Sequence, residues 1–169
     1  PLITNAAQLA TAADAVLGLA DRMREFDGVI ISAFGDPGRA LLECRLPIPV
    51  VGIAQAGMAE ASAASNGRFS VVTTTPNLVQ SITEIAGTYG YAEALTSVRI
   101  TAGDPAALMA DPAALEAAMA AAVAATITED GARAVLIGGG PLGGVAASLA
   151  KVFDVPVIAP IPAAVALLR

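Results

Sequence analysis

A strand signal that runs into a glycine-rich turn and then a helix signal occurs twice in this chain, and any fold has to accommodate both copies. The more pronounced copy, residues 134–145, reads AVLIGGGPLGGV, an apolar run ending in five glycines and a proline. The other, residues 28–39, reads GVIISAFGDPGR. Each leads through a short helical segment to a second strand signal, PVVGI at 49–53 and PVIA at 156–159. Ile31 and Ile137 stand 106 residues apart and Pro49 and Pro156 stand 107 apart, so a whole strand–loop–helix–strand unit is duplicated.

The rest of the chain fits the same alternation. Residues 6–26 carry apolar side chains at helical spacing, with Thr4 or Asn5 placed to cap them. Segments 28–33 and 47–53 read as buried parallel strands around a short helix at 39–45, and 55–64 as a helix of small residues. RFSVVTT at 68–74 is a β-branched strand; Pro76 and Asn77 open a helix over 78–87, and 95–101 reads as another strand. Residues 103–112 read as a loop with two helix-start signals, Asp104-Pro105 and Asp111-Pro112, before a long Ala-rich helix over 113–130. The second copy then supplies 133–138, 141–152 and 155–159, and 162–169 begins a last helix. Strands alternating with helices predict an α/β fold with mostly parallel sheets.

Composition narrows the function classes. At 169 residues the chain can bury a sizeable core, and with 56% hydrophobic but 4% aromatic residues that core is built from Ala, Val, Ile and Leu. Nine basic against fifteen acidic residues, a net charge of −6, give no basic surface for nucleic acid or an anionic membrane. Mean hydropathy is +0.70, yet the longest charge-free run, 134–150, is broken by glycines and falls short of the ~20 apolar residues of a spanning helix. A soluble protein is expected. One Cys and no His exclude an intrachain disulfide, a Cys/His zinc site and a Ser-His-Asp triad, and no metal is expected. No secretory signal opens the chain, so a cytoplasmic setting is expected, and with Pro1 rather than Met at the start the true N-terminus is expected to be missing.

In parallel sheets ligands sit beyond the carboxyl ends of the strands. The candidate site loops are therefore 34–38, 73–77 and 138–144, and a pseudo-two-fold would set the two glycine loops face to face across one cleft. Read literally, Gly138, Gly140 and Gly143 also satisfy GxGxxG, but the acid expected at the end of the following strand is missing, since Ala159 and Pro160 stand there.

Five stretches carry a family resemblance: SAFGDPG at 32–38, PVVGIAQAGM at 49–58, RFSVVTT at 68–74, VLIGGGPLGG at 135–144 and VPVIAPIPAAV at 155–165. Together they resemble the hydantoin and allantoin racemase branch of the aspartate/glutamate racemase superfamily over nearly the whole chain. The resemblance implies two pseudo-symmetric Rossmann-like lobes with parallel sheets, here residues 1–66 with 140–169 and residues 67–139, and a ligand cleft between them. It implies a cofactor-free site for a small-molecule substrate, proton exchange at a carbon next to a carbonyl, and a homo-oligomer. It also implies an N-terminal strand and Asn-rich loop that this sequence lacks. Family racemases place one catalytic Cys directly before FGDPG and another in the second glycine loop; here those positions are Ala33 and Gly139. The chain thus reads as a subgroup without either thiol. Cys44, in a helix of core-like pattern, is expected to be structural.

Removing the C5 proton of a hydantoin creates an enolate, which backbone N–H groups at a helix N-terminus stabilise. Gly138, Gly139, Gly140 and Pro141 offer one such cradle, and Ala33, Phe34 and Gly35 with the rest of 35–38 another. Thr73 and Thr74 are placed to bind a ring carbonyl or a carboxylate. Asp36 is the one carboxylate in these loops and hence the candidate base, with Ser32 and the threonines as weaker alternatives. Each has a plainer reading: Asp36 as a turn acid, the threonines as a strand end and helix cap, the glycines as close-packing residues. Tyr89 and Tyr91 are expected to cover a helix end. The sequence leaves open a lyase using the same pocket and a binding protein without turnover.

Overall fold

The computed structural model describes residues 3–169. Helix α1 (Ala6–Leu17) starts at Asn5, whose side chain accepts the Gln8 N–H. The long helix expected over 6–26 stops at Gly18, and one further turn, α2 (Ala20–Met23), follows. Strands β1 (Val29–Ile31) and β2 (Val50–Gly52) flank helix α3 (Arg39–Arg45) and pair in parallel, Val29 against Val50 and Ile31 against Gly52. Helix α4 (Ile53–Ser65) leaves β2 without a loop.

A second parallel sheet has the order β4-β3-β5-β6, from β3 (Phe69–Thr73), β4 (Leu95–Ile100), β5 (Ala134–Ile137) and β6 (Val157–Ile158). Between β3 and β4 lie a 3-10 turn (Pro76–Leu78) and α5 (Val79–Thr88); between β4 and β5 lie α6 (Pro105–Ala110) and α7 (Pro112–Thr128). After β5 come a second 3-10 turn (Gly140–Leu142) and α8 (Gly143–Leu149), and α9 (Pro160–Leu168) follows β6. Both Asp-Pro signals are used: Asp104 caps α6 and Asp111 caps α7, each through its own carboxylate. The short α6 occupies a stretch whose sequence reads as loop.

Strands β3 and β5 are buried along their whole length because both faces are covered. Alternation along the strands sends Phe69, Val71, Ala134 and Leu136 into one apolar cluster with residues of α4, α5 and α9, and Val72, Val135 and Ile137 into another with residues of α7 and α8. Strand β6 hydrogen-bonds to β5, whose edge would otherwise be unpaired, and only the final helix α9 turns back to pack on α4, β1 and β2. Cys44 also departs from expectation: it is exposed. On α3 the buried side chain is Leu42, and two residues along a helix is about 200° of rotation, which turns Cys44 to the opposite face. Among the described residues no helix is long and apolar enough to cross a membrane.

Two features yield tests of the packing. Gly57 of α4 lies against the wholly buried Leu136, and a methyl there would sit 2.6 Å from its Cδ1. Gly57→Ala adds about 1 kcal/mol of helix propensity, but overpacking against a side chain with no free space to swing into outweighs it. A net loss of about 1–2 kcal/mol in urea unfolding is expected. Across the β4 edge, Arg99 donates to Asp130 from Nε and Nη2, each at 2.7 Å, and the Ser97 hydroxyl donates to Asp130 at 2.6 Å. Ser97 has committed its proton there, so it accepts from buried Ser70 at 2.8 Å. Arg99 first and Ser97 second hold the Asp130 carboxyl down at about 2 from its ordinary 3.8. A depressed acid stabilises the fold above its unfolded pKa and loses that contribution as pH falls through the folded value. Asp130→Asn should lower the urea midpoint at neutral pH, and the gap to the wild type should close between pH 3.8 and about 2.

Candidate active site

The carboxyl ends of β1, β3 and β5 converge on a cavity of about 180 Å³. From β1 come Ser32, Ala33 and Phe34; from β3, Thr73, Thr74, Thr75 and Leu78; from β5, residues 138–142. Ile3 and Met109 of α6 complete the wall. The two glycine loops do face each other, since a methyl on Gly140 would lie 3.5 Å from the Ser32 carbonyl oxygen and 3.6 Å from its hydroxyl. Gly138 is required by space: a Cβ there would meet Val71 Cγ1 at 2.7 Å, while its N–H donates to the Val72 carbonyl at 2.8 Å.

The lining is neutral, with no ionisable side chain among its described residues. Its polar side chains are those of Ser32, Thr73, Thr74 and Thr75, whose hydroxyls have no protein hydrogen-bond partner among the described residues. The expected backbone cradle is narrower than the glycine count suggests. Gly138 and Gly139 donate to the Val72 and Ile137 carbonyls, so of the three glycine amides only that of Gly140 has no main-chain acceptor among the described residues.

Of the residues singled out from the sequence, Ala33, Phe34, Thr73, Thr74, Gly139, Gly140 and Pro141 meet in this cavity. Gly35 does not: at φ +118° it turns the chain, and a Cβ would run into Leu9 of α1. Asp36, the expected base, is not among the lining residues either. It sits at φ +48° and 5% exposure, with its carboxylate turned into the protein. Oδ1 accepts the Ala54 N–H at 2.9 Å, and Oδ2 accepts the Gln55 N–H at 2.7 Å and the Tyr89 hydroxyl at 2.8 Å. Tyr89 in turn accepts from Arg39 Nε at 3.1 Å, and the guanidinium lies 5.3 Å from the centre of its ring. Burial pushes the Asp36 carboxyl above its ordinary value, against the pull of the Ala54 and Gln55 amides, Tyr89 and Arg39. The Tyr89 hydroxyl is pushed well above its ordinary value, first by burial and then by the Asp36 charge, so it stays protonated as a donor.

The candidate loops 73–77 and 138–144 contain Thr75 and Leu142 without singling them out, while Leu78, Met109 and Ile3 lie outside every candidate loop. Thr75 continues the run of Thr73 and Thr74 into the cavity. Nothing in the spacing of α6 marks Met109. Tyr89, expected to cover a helix end, has its hydroxyl inside the Asp36 network, whereas Tyr91 packs edge-on to Phe69.

The model of the Asp/Glu/Hydantoin racemase family matches residues 1–168. The hydantoin racemase of Rhizobium meliloti is 34% identical over 139 residues, 82% of this chain and 57% of the relative, and that of Paenarthrobacter aurescens is 33% identical over 145 residues, 86% and 61%. The chain thus spans somewhat over half the length of these relatives. The solved allantoin racemase from Klebsiella pneumoniae superposes with a TM-score of 0.92 at 30% identity, over 99% of this chain and 69% of that one. A parallel α/β fold whose facing loops enclose a neutral cavity therefore comes with matching sequence from end to end, and the chain belongs to the Asp/Glu/hydantoin racemase family.

Proposed function

We propose that this chain carries the substrate pocket of a cofactor-independent racemase for hydantoin-like compounds, exchanging the proton on the carbon next to a carbonyl. The observation that carries the reading is the neutral cavity set between the two glycine loops, rimmed by four unengaged hydroxyls. A charged amino acid or a malonate would enter without a counter-ion, at a desolvation cost that a neutral cyclic amide avoids. Ring carbonyls would accept from Thr73, Thr74, Thr75 or Ser32 and from the Gly140 N–H, and these donors also stabilise the oxygen on which charge collects when the C5 proton leaves. The ligand lies between two lobes, one carrying β1 and β2, the other β3 and β5.

With Asp36 turned away and Ala33 and Gly139 in place of the family thiols, the lining offers no carboxylate, thiol or imidazole base, only the weakly basic hydroxyls of Ser32 and the threonines, so exchange is slow. The same observation favours a second reading, a binding protein without turnover. Assembly into a homo-oligomer and a cytoplasmic setting belong to the same proposal.

The deciding experiment follows loss of the C5 proton from one enantiomer of a 5-substituted hydantoin in deuterated water, with optical rotation read in the same tube. Racemase action gives exchange together with decay of rotation. Neither signal moving, while the hydantoin still raises the melting temperature, would establish the binding protein. A second measurement restores the thiols. Gly139 has extended backbone open to any residue, and its Cβ would lie 3.1 Å from Leu142 Cδ1 and 3.3 Å from its Cγ, which a small shift of that side chain relieves. The double variant Ala33→Cys, Gly139→Cys should raise the exchange rate by at least about tenfold, since a positioned acid–base group contributes ~10²–10⁴. A double variant that binds hydantoin with an unchanged rate would mean that C5 does not lie between these positions.

A further inference from the structure

Helix α4 has no side chain at its N-cap, which is Gly52; Gln55 Oε1 accepts the Gly52 N–H at 3.3 Å but leaves the first-turn amides unmet. The orphan N–H groups of its first turn, those of Ala54 and Gln55, are instead taken by the carboxylate of Asp36, far upstream in the chain. The substitution is spatially literal: a Cβ on Gly52 would fall inside the Asp36 carboxyl group, so that group fills the volume a local cap would use. Asp36 reaches this place from the loop that forms one wall of the cavity. Its own N–H donates to the Ala33 carbonyl at 3.0 Å, closing a turn over Phe34 and Gly35, and both Gly35 and Asp36 hold positive φ. An L-residue in that region stays there only when its surroundings fix it. The fixing groups come from three other elements: the first turn of α4, Tyr89 at the end of α5, and Arg39 at the start of α3, itself paired with Glu43 at 3.1 Å.

We infer that Asp36 is a positioning residue, an internal anion docked on the N-terminus of α4 that, with Tyr89 and Arg39, holds Ala33 and Phe34 in place as the wall of the cavity. The role does not depend on whether the pocket turns over a hydantoin, and every readout below is free of that assay. It assigns Asp36 work through its bonds rather than through proton transfer.

A vacated α4 N-terminus should accept a free carboxylate small enough to enter. In the full chain, Asp36→Ala should melt several degrees lower than the wild type. Sodium formate should raise its melting temperature more than the same ionic strength of sodium chloride does, with no such difference for the wild type. The amide signals of Ala33 and Phe34, displaced in the variant, should return towards their wild-type positions as formate is added, which loss of packing alone would not produce. Tyr89→Phe removes a single hydroxyl and gives a test that survives if Asp36→Ala does not fold. The amides of Ala54, Gln55, Ala33 and Phe34 should shift in it, while those of Thr73 and Thr74, on the opposite wall, stay in place. Formate acting no differently on Asp36→Ala than on the wild type would overturn the inference, as would unmoved Ala33 and Phe34 amides in Tyr89→Phe.

Discussion

The pairing of β3 with β5 is the contact on which the rest of the molecule depends. Each strand has its main-chain groups paired on both sides and its side chains buried on both faces, so this pair holds two apolar clusters together and fixes where the helices must lie. Its carboxyl ends then decide the site. The strands run in parallel and in register, so the Thr73 turn and the Gly138 turn leave the sheet side by side; Gly138 lets them do so closely, since any side chain would push against Val71. The cavity is the space left where two chains that pair tightly must part.

Against this sheet, the β1–β2 pair is smaller: β2 is buried throughout, and β1 is not. Strand β1 is only partly buried over Val29 and Ile30, and α1 has no fully buried residue. The wall formed by Ser32, Ala33 and Phe34 is tied to the larger core through Phe34, which packs in the same apolar cluster as Val51 and Ile53, and a polar network next to it adds direction to that packing. A carboxylate with three donors in a buried setting is costly to leave half satisfied and strongly directional when complete.

Much of this was legible in the chain. The duplicated strand–glycine–helix unit indicated parallel sheets, and the principle that ligands gather at strand carboxyl ends led to Thr73, Thr74, Gly139, Gly140 and Pro141. What could not be read were directions. Asp36 follows Phe34 and Gly35 in the same loop, yet its side chain points away from the cavity because of a backbone angle and a vacant volume at Gly52, neither of which is written near it. The same holds for Cys44, whose face of α3 is set by which neighbour Leu42 meets, and for β6, whose short apolar run fits either sheet until the unpaired edge of β5 claims it. Periodicity reports that a segment has an inside; it does not report whose inside.

The arrangement at Gly52 has an evolutionary side. A residue with a side chain at position 52 and an acid at position 36 compete for one volume, so the two sites are not free to vary separately. A lineage that gained Ser or Asp at 52 while keeping Asp36 would pass through a clash, and one that lost Asp36 first would pass through a helix with bare amides. Exchange of the distant cap for a local one therefore requires two changes with a disfavoured intermediate on either route, and the cavity wall that hangs from Asp36 would have to find another anchor on the way. The pair works as a ratchet: once a chain caps this helix from the loop, single substitutions keep it there.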